Sequence, residues 1–251
     1  MLKNLYRMLR NYYRRMAFKP YTIHKEILGM PLNIYIADSV GKEWYDTGNM
    51  ERQEIQYLKN HFVAPGEIIL ECGGHHGVIA SYLSKCIGSN GQMIVFEPSP
   101  FNAKIIKKNL ELNQITNVKV ENKAIGDVPG KMRFSTFSNG FIESSSIGTI
   151  PVDVTTIDDY AYFKPTMLMI DVEGYDVHAL KGARNVLKTR PKIALEIHTM
   201  QLPSYGNSVK DIFDLLDLSD YDCTIMDQAG FHPLGNIKDI TTNVHLYAIP
   251  R

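Results

Sequence analysis

The residues best suited to chemistry lie in one short stretch, ECGGHHG, at positions 71–77. An acid and a cysteine come first, and two adjacent histidines stand between glycines. Such a stretch suits a metal centre, a thiol active centre, or a loop that wraps a nucleotide-like cofactor. Adjacent residues in a tight loop point apart, so we expect His75 and His76 not to grip one zinc ion together. We expect Cys72 to be buried and inert, which favours the cofactor loop.

The position of this stretch supports a cofactor loop. The apolar run IIL precedes it and a helix-like segment follows it. In a parallel sheet this is the carboxyl end of a strand, where ligands bind. Glycines there let the main chain approach a ligand, and the start of the helix offers free N–H groups. A glycine cluster alone is equally compatible with a plain strand-to-helix turn.

A second acid strengthens the cofactor interpretation. Glu97 ends the next predicted strand, 20 residues after Gly77, where a carboxylate accepts both hydroxyls of a ribose. Dinucleotide sites use G-x-G-x-x-G, whereas the glycines here are spaced G-G-x-x-G and Glu71 stands two residues before the first. An acid repels a pyrophosphate but attracts a cationic amino-acid group. This charge argument predicts S-adenosylmethionine and leaves a nicotinamide-dependent oxidoreductase as the alternative.

Strand-like and helix-like segments alternate from residue 68 onward. The predicted strands are residues 68–71, 92–97, 117–125, 167–171 and 192–198. The first predicted helix follows the glycine stretch and ends near residue 87, and three more cover residues 101–113, 177–188 and 211–218. The segments YDCTIMD and VHLYAIP are predicted to close the sheet as a pair. Short apolar strands separated by helices indicate an α/β fold, with helices on both faces of a mostly parallel sheet.

Composition excludes several classes of protein. Of the 251 residues, 44% are apolar and 22% charged, as in a soluble globular protein. Lysine plus arginine equals aspartate plus glutamate, 27 each, so no overall charge favours nucleic acid as a partner. Three cysteines without close spacing argue against a disulfide framework and suit a reducing cytoplasm. No apolar run approaches the roughly 18 residues of a membrane span, and no signal peptide is expected.

Residues 1–63 are predicted to be an N-terminal extension and residues 64–251 the main domain. Residues 1–20 contain six cations and no acid, and their apolar residues recur at three- and four-residue steps, which predicts an amphipathic helix. Such a helix either makes peripheral contact with a membrane or a partner, or packs on its own domain with a solvated basic face. The rest of the extension is predicted to hold a hairpin near residues 26–38 and a helix from about 49 to 61.

Further motifs follow the glycine stretch in a fixed order. They are FEP at 96–98, KNLELN at 108–113, AIGD at 124–127, IDVEGYD at 170–176, LKGA at 180–183, RP at 190–191 and EIH at 196–198. With the glycine stretch, this ordered set resembles the FkbM-type methyltransferases, S-adenosylmethionine-dependent enzymes best known for O-methylation. The resemblance covers roughly residues 64–198. Family members typically have an aspartate where this chain has Glu71, and an alanine-asparagine pair in place of Gly74-His75.

The resemblance implies a class I methyltransferase fold, which is Rossmann-like, with a mostly parallel seven-stranded sheet and an antiparallel edge hairpin. It implies methyl transfer from the sulfonium to a nucleophile, with catalysis coming mostly from holding the two in line. By position, Glu71 and the backbone of 73–77 hold the methionine end, Glu97 holds the ribose, and residues 122–124 flank the adenine. The full predicted cofactor site is Glu71, Gly73, Gly74, His75, Gly77, Glu97, Pro98, Asn122, Lys123, Ala124 and Asp171.

Acids and a histidine follow the next two predicted strands, Asp171 and Glu173 after one, Glu196 and His198 at the end of the other. Residues two apart in extended chain share a face, so both pairs are expected to converge on the acceptor side of the cofactor. An alcohol acceptor must lose its proton, which needs a base or a metal, and this ligand set suits Mg²⁺ or Mn²⁺. The predicted catalytic residues are Asp171, Glu196 and His198, and without a metal the base is His198 or Asp171. The alternative is structural: Asp171 and Glu173 order the loop, and His198 belongs to the core.

The predicted acceptor is a hydroxyl of a sugar, a glycan or a small metabolite. We expect its determinants in the N-terminal extension and in the loops at 135–149 and 200–207. A non-catalytic binding protein that retained the fold is the remaining alternative, because Gly74-His75 departs from the pair typical of the family.

Overall fold

The computed structural model describes residues 17–48, 52–135, 142 and 149–251. Its strands are β1 (Tyr21–Ile27), β2 (Met30–Ile36), β3 (Ile68–Cys72), β4 (Gln92–Phe96), β5 (Val118–Glu121), β6 (Ala124–Ile125), β7 (Gly130–Ser135), β8 (Thr149–Thr155), β9 (Met167–Ile170), β10 (Lys192–Ile197), β11 (Tyr221–Asp227), β12 (Gly230–Pro233) and β13 (Val244–Pro250). Its α-helices are α1 (Ser39–Gly41), α2 (Arg52–Tyr57), α3 (Val78–Ile87), α4 (Pro100–Leu112), α5 (Asp176–Lys181), α6 (Arg184–Leu187) and α7 (Val209–Leu215). Lys42–Thr47 and Leu58–Phe62 are π-helical turns, and Asp158–Phe163, Leu202–Tyr205 and Ile237–Asp239 are 3₁₀ turns.

Within these residues, eight strands form the central sheet in the order β12-β11-β13-β10-β9-β3-β4-β5. The strands from β10 to β5 are parallel to one another. All of β9, and all but the first residue of β3 and of β4, are buried. Strands buried on both faces require cover on both faces, which helices provide. The predicted α/β fold with a mostly parallel sheet is confirmed.

The antiparallel edge predicted from the last two strand-like segments is also present. β13 lies between β10 and β11 and runs antiparallel to both. The sheet has one strand more than the seven predicted, because the chain after Asp227 turns back and β12 pairs antiparallel with β11. Gly230 begins β12 at a φ of +98°, a conformation that favours glycine.

Two hydrophobic clusters cover the two faces of the sheet. One cluster includes Leu180 of α5 and Ile212 of α7, and the other includes Leu83 of α3 and Ile106 of α4. The helix predicted over residues 177–188 is interrupted, since α5 ends at Lys181 and α6 begins at Arg184. A Cβ atom on Gly182 would lie 2.1 Å from the carbonyl oxygen of Gly126, so only glycine fits at the break.

The third predicted strand, residues 117–125, is wrong in its second half. β5 ends at Glu121, and the N–H of Lys123 donates to the carbonyl of Glu121, which turns the chain away from the central sheet. The side-chain amide of Asn122 donates to the carbonyl oxygens of Glu97 and Pro98 and holds this turn against the end of β4. β6 then joins β8 and β7 in a separate three-stranded sheet. The continuous apolar pattern over residues 117–125 does not indicate that its two halves join different sheets.

The N-terminal extension contains the predicted hairpin, which begins earlier than expected, at Tyr21. β1 and β2 pair over their full lengths. β2 is held to α4 by asparagine amides: Asn109 Oδ1 accepts from the N–H of Tyr35 at 2.7 Å, and Asn113 Oδ1 accepts from the N–H of Asn33 at 2.9 Å. The asparagine pair of the KNLELN motif therefore anchors the extension to the main domain.

The helical part of the extension shares a core with the main domain. Ile55, Leu58 and Phe62 are at most 1% exposed and belong to the same cluster as α3 and α4. The boundary between residues 63 and 64 stays a prediction, as does the basic helix over 1–20, of which residues 1–16 lie outside the described residues. No helix in the described part of the chain is both long and apolar enough to cross a membrane.

Removing one buried ring from the extension should destabilise the whole protein. Phe62 is fully buried between α2 and the sheet, so we expect Phe62→Ala to lower the free energy of unfolding by about 3 kcal/mol. Urea denaturation followed by circular dichroism measures this loss. Val128→Ala is the control, because Val128 is 66% exposed and should cost less than about 0.5 kcal/mol. Equal stability of Phe62→Ala and the wild type would show that the extension does not share the core.

Candidate functional site

The stretch at 71–77, called the cofactor loop below, begins where β3 ends. The N–H groups of Gly73 and Gly74 donate to the carbonyl of Phe96, at 2.9 Å and 3.2 Å, which ties the loop to the end of β4. Gly73 has a φ of +98°, and a Cβ atom there would lie 1.8 Å from the carbonyl oxygen of Asp171. Glycine is therefore required for the carboxyl ends of β3, β4 and β9 to meet at this point.

Glu97 lies directly beyond β4 and is buried. One carboxylate oxygen accepts from the N–H of Ser99 at 2.8 Å, and the other accepts from the N–H of His75 at 2.9 Å. Burial raises the pKa of Glu97 to about 8, although these two hydrogen bonds act to lower it. Oε1 also accepts from the side-chain amide of Asn102 at 3.5 Å, whereas Oε2 accepts from His75 alone. Glu97 lines a crevice at this edge of the sheet, so Oε2 retains a lone pair for a ligand.

Glu71, the last acid before the glycines, is only 5% exposed. Its Oε2 atom is buried and has no hydrogen-bond partner among the described residues. Burial, followed by the charges of Asp171, Glu54 and Glu97, raises its pKa to about 8. A buried carboxylate without a partner is costly, and a cationic ligand group would relieve that cost.

The crevice divides the predicted cofactor residues into two groups. Those that line it are Gly73, Glu97, Pro98, Lys123, Ala124 and Asp171. The other five, Glu71, Gly74, His75, Gly77 and Asn122, do not line it. Gly74 and Gly77 pack on Val95 and Ile106, and Asn122 holds the turn after β4. The crevice is also lined by Phe96, Ile125, Phe134, Ile142, Val172, Glu173 and Tyr175, which sequence reasoning did not single out as cofactor residues. Their apolar side chains suit the flat face of a base or the edge of a sugar.

Adjacent residues are expected to point apart, but the two histidines of the cofactor loop do not. Their rings stack at 4.1 Å between centroids with 3° between planes. His75 adopts a φ of +46°, which turns its ring back over that of His76. His76 is fully buried, with Nε2 3.9 Å from Asp38 Oδ1. Neither histidine joins a group that could hold a metal among the described residues.

A cluster of carboxylates surrounds His198 at the ends of β9 and β10. Nε2 of His198 lies 3.5 Å from Asp171 Oδ1, 3.6 Å from Glu173 Oε2 and 3.5 Å from Glu196 Oε1. On its other side, the main-chain N–H of His198 donates to Asp176, which is fully buried at the start of α5. The structure thus brings all four predicted metal-site residues together.

Three members of this cluster could hold one ion. Ligand atoms of Asp171, Glu196 and His198 all lie within 4.8 Å of one another, and they form the only such group in the residues that the structure describes. Glu173 lies beside them, at a φ of +52° in the turn before α5. Asp171 belongs both to this cluster and to the lining of the crevice, so the two features share a wall.

The charges in the cluster favour a cation. Burial lowers the pKa of His198, but Asp176, whose Oδ1 lies 3.6 Å from Nδ1, and the charges of Glu196 and Asp171 outweigh this effect and raise the pKa to about 10. Burial and the charge of Asp171 raise the pKa of Glu196 to about 8. His198 is therefore protonated at neutral pH when no ion is present and supplies the positive charge that the carboxylates require.

A family model described as the methyltransferase FkbM domain matches residues 71–231. The chain belongs to this family. The matched span contains the cofactor loop, Glu97 and the cluster around His198, so the predicted resemblance is confirmed. No curated protein matches the chain.

Solved structures share the fold of this FkbM-family chain at low sequence identity. A putative rRNA methylase from Clostridium thermocellum is 15% identical with a TM-score of 0.51, over 79% of this chain and 93% of that one. An S-adenosylmethionine-dependent O-methyltransferase from Thermotoga maritima is 12% identical with a TM-score of 0.50, over 91% and 76%. An FkbM methyltransferase from Methylobacillus flagellatus KT is 20% identical with a TM-score of 0.49, over 73% of this chain and 44% of its own length. The present chain thus spans less than half of the Methylobacillus flagellatus protein. The fold of the present chain is that of the class I methyltransferases.

Several residues near the site lie outside the family match and were missed by sequence reasoning. Glu54 of α2 and His245 of β13 approach each other, with 3.7 Å between Oε1 and Nδ1. His245 pairs with Glu196 across β10 and β13, so their side chains share a face. Burial and the charge of His198 lower the pKa of His245 to about 4, so it is neutral. Predicting from the sequence that β13 pairs with β10 would have placed His245 beside Glu196. No sequence pattern in the extension distinguishes Glu54 from its neighbours.

The loops predicted to bind the acceptor are only partly described. Of the loop at 135–149, residues 136–141 and 143–148 lie outside the described residues. The loop at 200–207 contains the 3₁₀ turn Leu202–Tyr205. Tyr205 packs edge-on against Tyr175 of the crevice wall, with 5.2 Å between ring centroids, which places this loop beside the crevice.

The buried carboxylate of Glu71 predicts a pH-dependent stability. Its pKa is raised from 4.5 to about 8, so the folded protein keeps a proton that the unfolded chain releases. The corresponding stability is fully present below about pH 4.5 and is lost as the pH rises through 8. Each pKa unit corresponds to about 1.4 kcal/mol, so Glu71→Gln should gain on the order of 4 kcal/mol relative to the wild type between about pH 5 and pH 9.

Urea denaturation at a series of pH values measures this difference. Glu111→Gln is the matched control, because Glu111 is 71% exposed and should follow the wild type at every pH. A stability difference between Glu71→Gln and the wild type that does not change with pH would contradict a raised pKa.

Proposed function

We propose that this FkbM-family chain binds S-adenosylmethionine in the crevice and transfers its methyl group to a hydroxyl of a sugar, a glycan or a small metabolite. The observation that carries the proposal is Glu71 Oε2, a buried acceptor without a hydrogen-bond partner among the described residues. The ammonium group of a methionine moiety supplies the cation that this position requires. Glu97 at the next strand end suits the ribose hydroxyls.

The residues present fit such a cofactor from end to end. Glu71 and the glycine backbone would hold the amino-acid end, and Glu97 the ribose. Apolar side chains of the crevice, among them Ile125 and Phe134, would cover the base. S-adenosylmethionine supplies the electrophilic methyl group when bound. The chain itself contributes position, because an in-line displacement depends mostly on holding donor and acceptor at contact distance.

Asp171 connects cofactor and acceptor in this proposal. It lines the crevice and also lies 3.5 Å from His198. An acceptor hydroxyl held between Asp171 and Glu196 would face the crevice at the strand ends, where the methyl group is expected. The Thermotoga maritima neighbour is an O-methyltransferase by name, which agrees with this class of reaction.

Asp171, Glu196 and His198 fit a divalent metal, because carboxylate oxygens and one imidazole are ligands that Mg²⁺ and Mn²⁺ accept. Such an ion supplies a Lewis acid that lowers the pKa of the acceptor hydroxyl. His198 ligates only as the neutral imidazole, so it must release its proton when the ion binds. Asp176, on the other side of the ring, would fix its orientation.

Without a metal, the base is a carboxylate rather than His198. A histidine with a pKa of about 10 holds its proton at neutral pH and cannot accept another. Asp171, whose pKa is raised to about 7, is the group left to take the proton, because Glu196, with a pKa raised to about 8, is mostly protonated at neutral pH. His198 then stabilises the negative charge that develops on the acceptor oxygen.

Isothermal titration tests the cofactor with two probes. S-adenosylhomocysteine carries the amino-acid end, and 5′-methylthioadenosine lacks it. Glu71→Gln should weaken binding of S-adenosylhomocysteine by at least about 10-fold, because a buried ion pair is lost, and should leave 5′-methylthioadenosine within about 2-fold. Glu111→Gln serves as the control. Absence of binding by S-adenosylmethionine and S-adenosylhomocysteine at millimolar concentration would defeat the proposal.

The metal is tested separately with Mn²⁺, whose binding is followed by electron paramagnetic resonance. Asp171→Asn and Glu196→Gln should each weaken Mn²⁺ binding by about 10-fold or more, because each removes a charged ligand. Asp153→Asn, at a side chain 61% exposed and far from the cluster in the separate sheet, should bind as the wild type does. Wild-type protein that binds no Mn²⁺ at millimolar concentration would restrict the mechanism to a carboxylate base.

A further inference from the structure

The N-terminal extension wraps around the cofactor loop, although it lies outside the span that the family model matches. Asp38 caps α1 by accepting from the N–H of Gly41 at 2.8 Å. Gly41 in turn rests on the ring of His76, and a Cβ atom there would come within 2.6 Å of it. The π-helical turn that follows α1 then brings Trp44 and Tyr45 onto the other histidine. Two consecutive elements of the extension thus contact the loop.

Tyr45 makes the most specific of these contacts. Its hydroxyl lies 2.7 Å from Nδ1 of His75, and the residue is only 7% exposed. Burial, and then the charge of Glu71, raise the pKa of Tyr45, so the phenol keeps its proton, and the tautomer of His75 sets which of the two groups donates. A buried hydroxyl that only filled space would be replaced by phenylalanine without loss, whereas this one has a definite hydrogen-bond partner.

His75 transmits this contact to the acid proposed to hold the ribose. It is a non-glycine residue at a φ of +46°, a conformation that is uncommon outside glycine but that asparagine, aspartate and histidine adopt more often than other residues. In this conformation its N–H points at Glu97 and donates to Oε2 at 2.9 Å. The ring is fixed on three sides, by the hydroxyl of Tyr45, by the ring of His76 and by Trp44 at 4.8 Å between centroids. The aromatic contacts therefore hold His75 in the orientation in which its N–H donates to Glu97.

We propose that Tyr45 is a positioning residue for the adenosine part of the cofactor, acting through His75 on Glu97, and that Trp44 forms the outer wall of the same site. This inference rests on the proposed function, because it assumes that a nucleoside binds at Glu97. It assigns part of the cofactor site to the N-terminal extension.

A double-mutant cycle tests the role of Tyr45 with the same two probes. Tyr45→Phe removes only the hydroxyl, and His75→Gly removes the ring while tolerating the positive φ. Tyr45→Phe should weaken both S-adenosylhomocysteine and 5′-methylthioadenosine by about 3- to 10-fold, the value of one lost hydrogen bond. In the His75→Gly background the same change should have no further effect on either probe.

The pattern across probes separates the possible outcomes. Equal weakening of both probes supports an effect on the nucleoside end. Weakening of S-adenosylhomocysteine alone would overturn the inference, because the effect would then act at Glu71. Unchanged affinity for both probes, or the same loss in the His75→Gly background, would also overturn it. Wild-type protein that binds neither probe would defeat the proposed function as well.

A matched control comes from the same extension. Tyr21 donates its hydroxyl to Asp46 at 2.5 Å, and Asp46 lies in the same π-helical turn as Tyr45. Tyr21→Phe also removes a tyrosine hydroxyl bond but does not touch the cofactor loop. It should leave both affinities within about 2-fold, and a loss equal to that of Tyr45→Phe would show that the extension acts only through stability. Thermal unfolding of every variant confirms that it is folded at the titration temperature.

Trp44 is tested by its own fluorescence. It is the single tryptophan of the chain and is 41% exposed, so its emission reports on this wall alone. Addition of S-adenosylhomocysteine to the wild type should shift or quench the emission with the same midpoint as the calorimetric titration. Binding heat without any change in emission would remove Trp44 from the site.

Discussion

The structure depends on acids that are brought together at the ends of three neighbouring parallel strands. Glu71 lies in β3, whereas Glu97 and Asp171 directly follow β4 and β9. Glu71 and Glu97 are buried, and the charge of Asp171 raises the pKa of both. Charged groups are buried at such a cost only when partners compensate for it. Main-chain N–H groups compensate Glu97, the cation of His198 compensates Asp171, and the described residues leave Glu71 Oε2 without a hydrogen bond. Glu71 is therefore the least compensated of the three acids and the one that most needs a cationic partner.

Close main-chain packing makes this arrangement possible. The strand ends meet because Gly73 lies against the carbonyl of Asp171, where no larger residue fits. Glu97 then joins the loop to the start of α4 by accepting from both sides. The hydrophobic clusters on the two faces supply the stability that holds these groups in place, since burial of apolar surface is the main favourable term in folding. The hydrophobic core thus stabilises a polar edge of the sheet that would not be stable without it.

The carboxylates around His198 require a positive charge, which either a proton on the imidazole or a metal ion can supply. Three carboxylates lie within 3.6 Å of Nε2, so a positive charge at this point is stabilised whatever its source. Nearby, His245 is kept neutral by burial and by the charge of His198. Two imidazoles at neighbouring strands are therefore held in opposite protonation states by their surroundings.

The sequence by itself determined the α/β fold, the order of the parallel strands' motifs, the cofactor loop, and the convergence of Asp171, Glu196 and His198. These follow from local periodicity and from the rule that carboxyl ends of parallel strands share one edge of the sheet. Only the tertiary structure decided that the third strand divides at Asn122, that His75 and His76 stack, and that Tyr45 and Glu54 reach the site. These contacts join segments that are distant along the chain, and their geometry depends on how the extension packs on α3 and α4. A local pattern carries no record of that packing, because it is determined by the shape of the whole core.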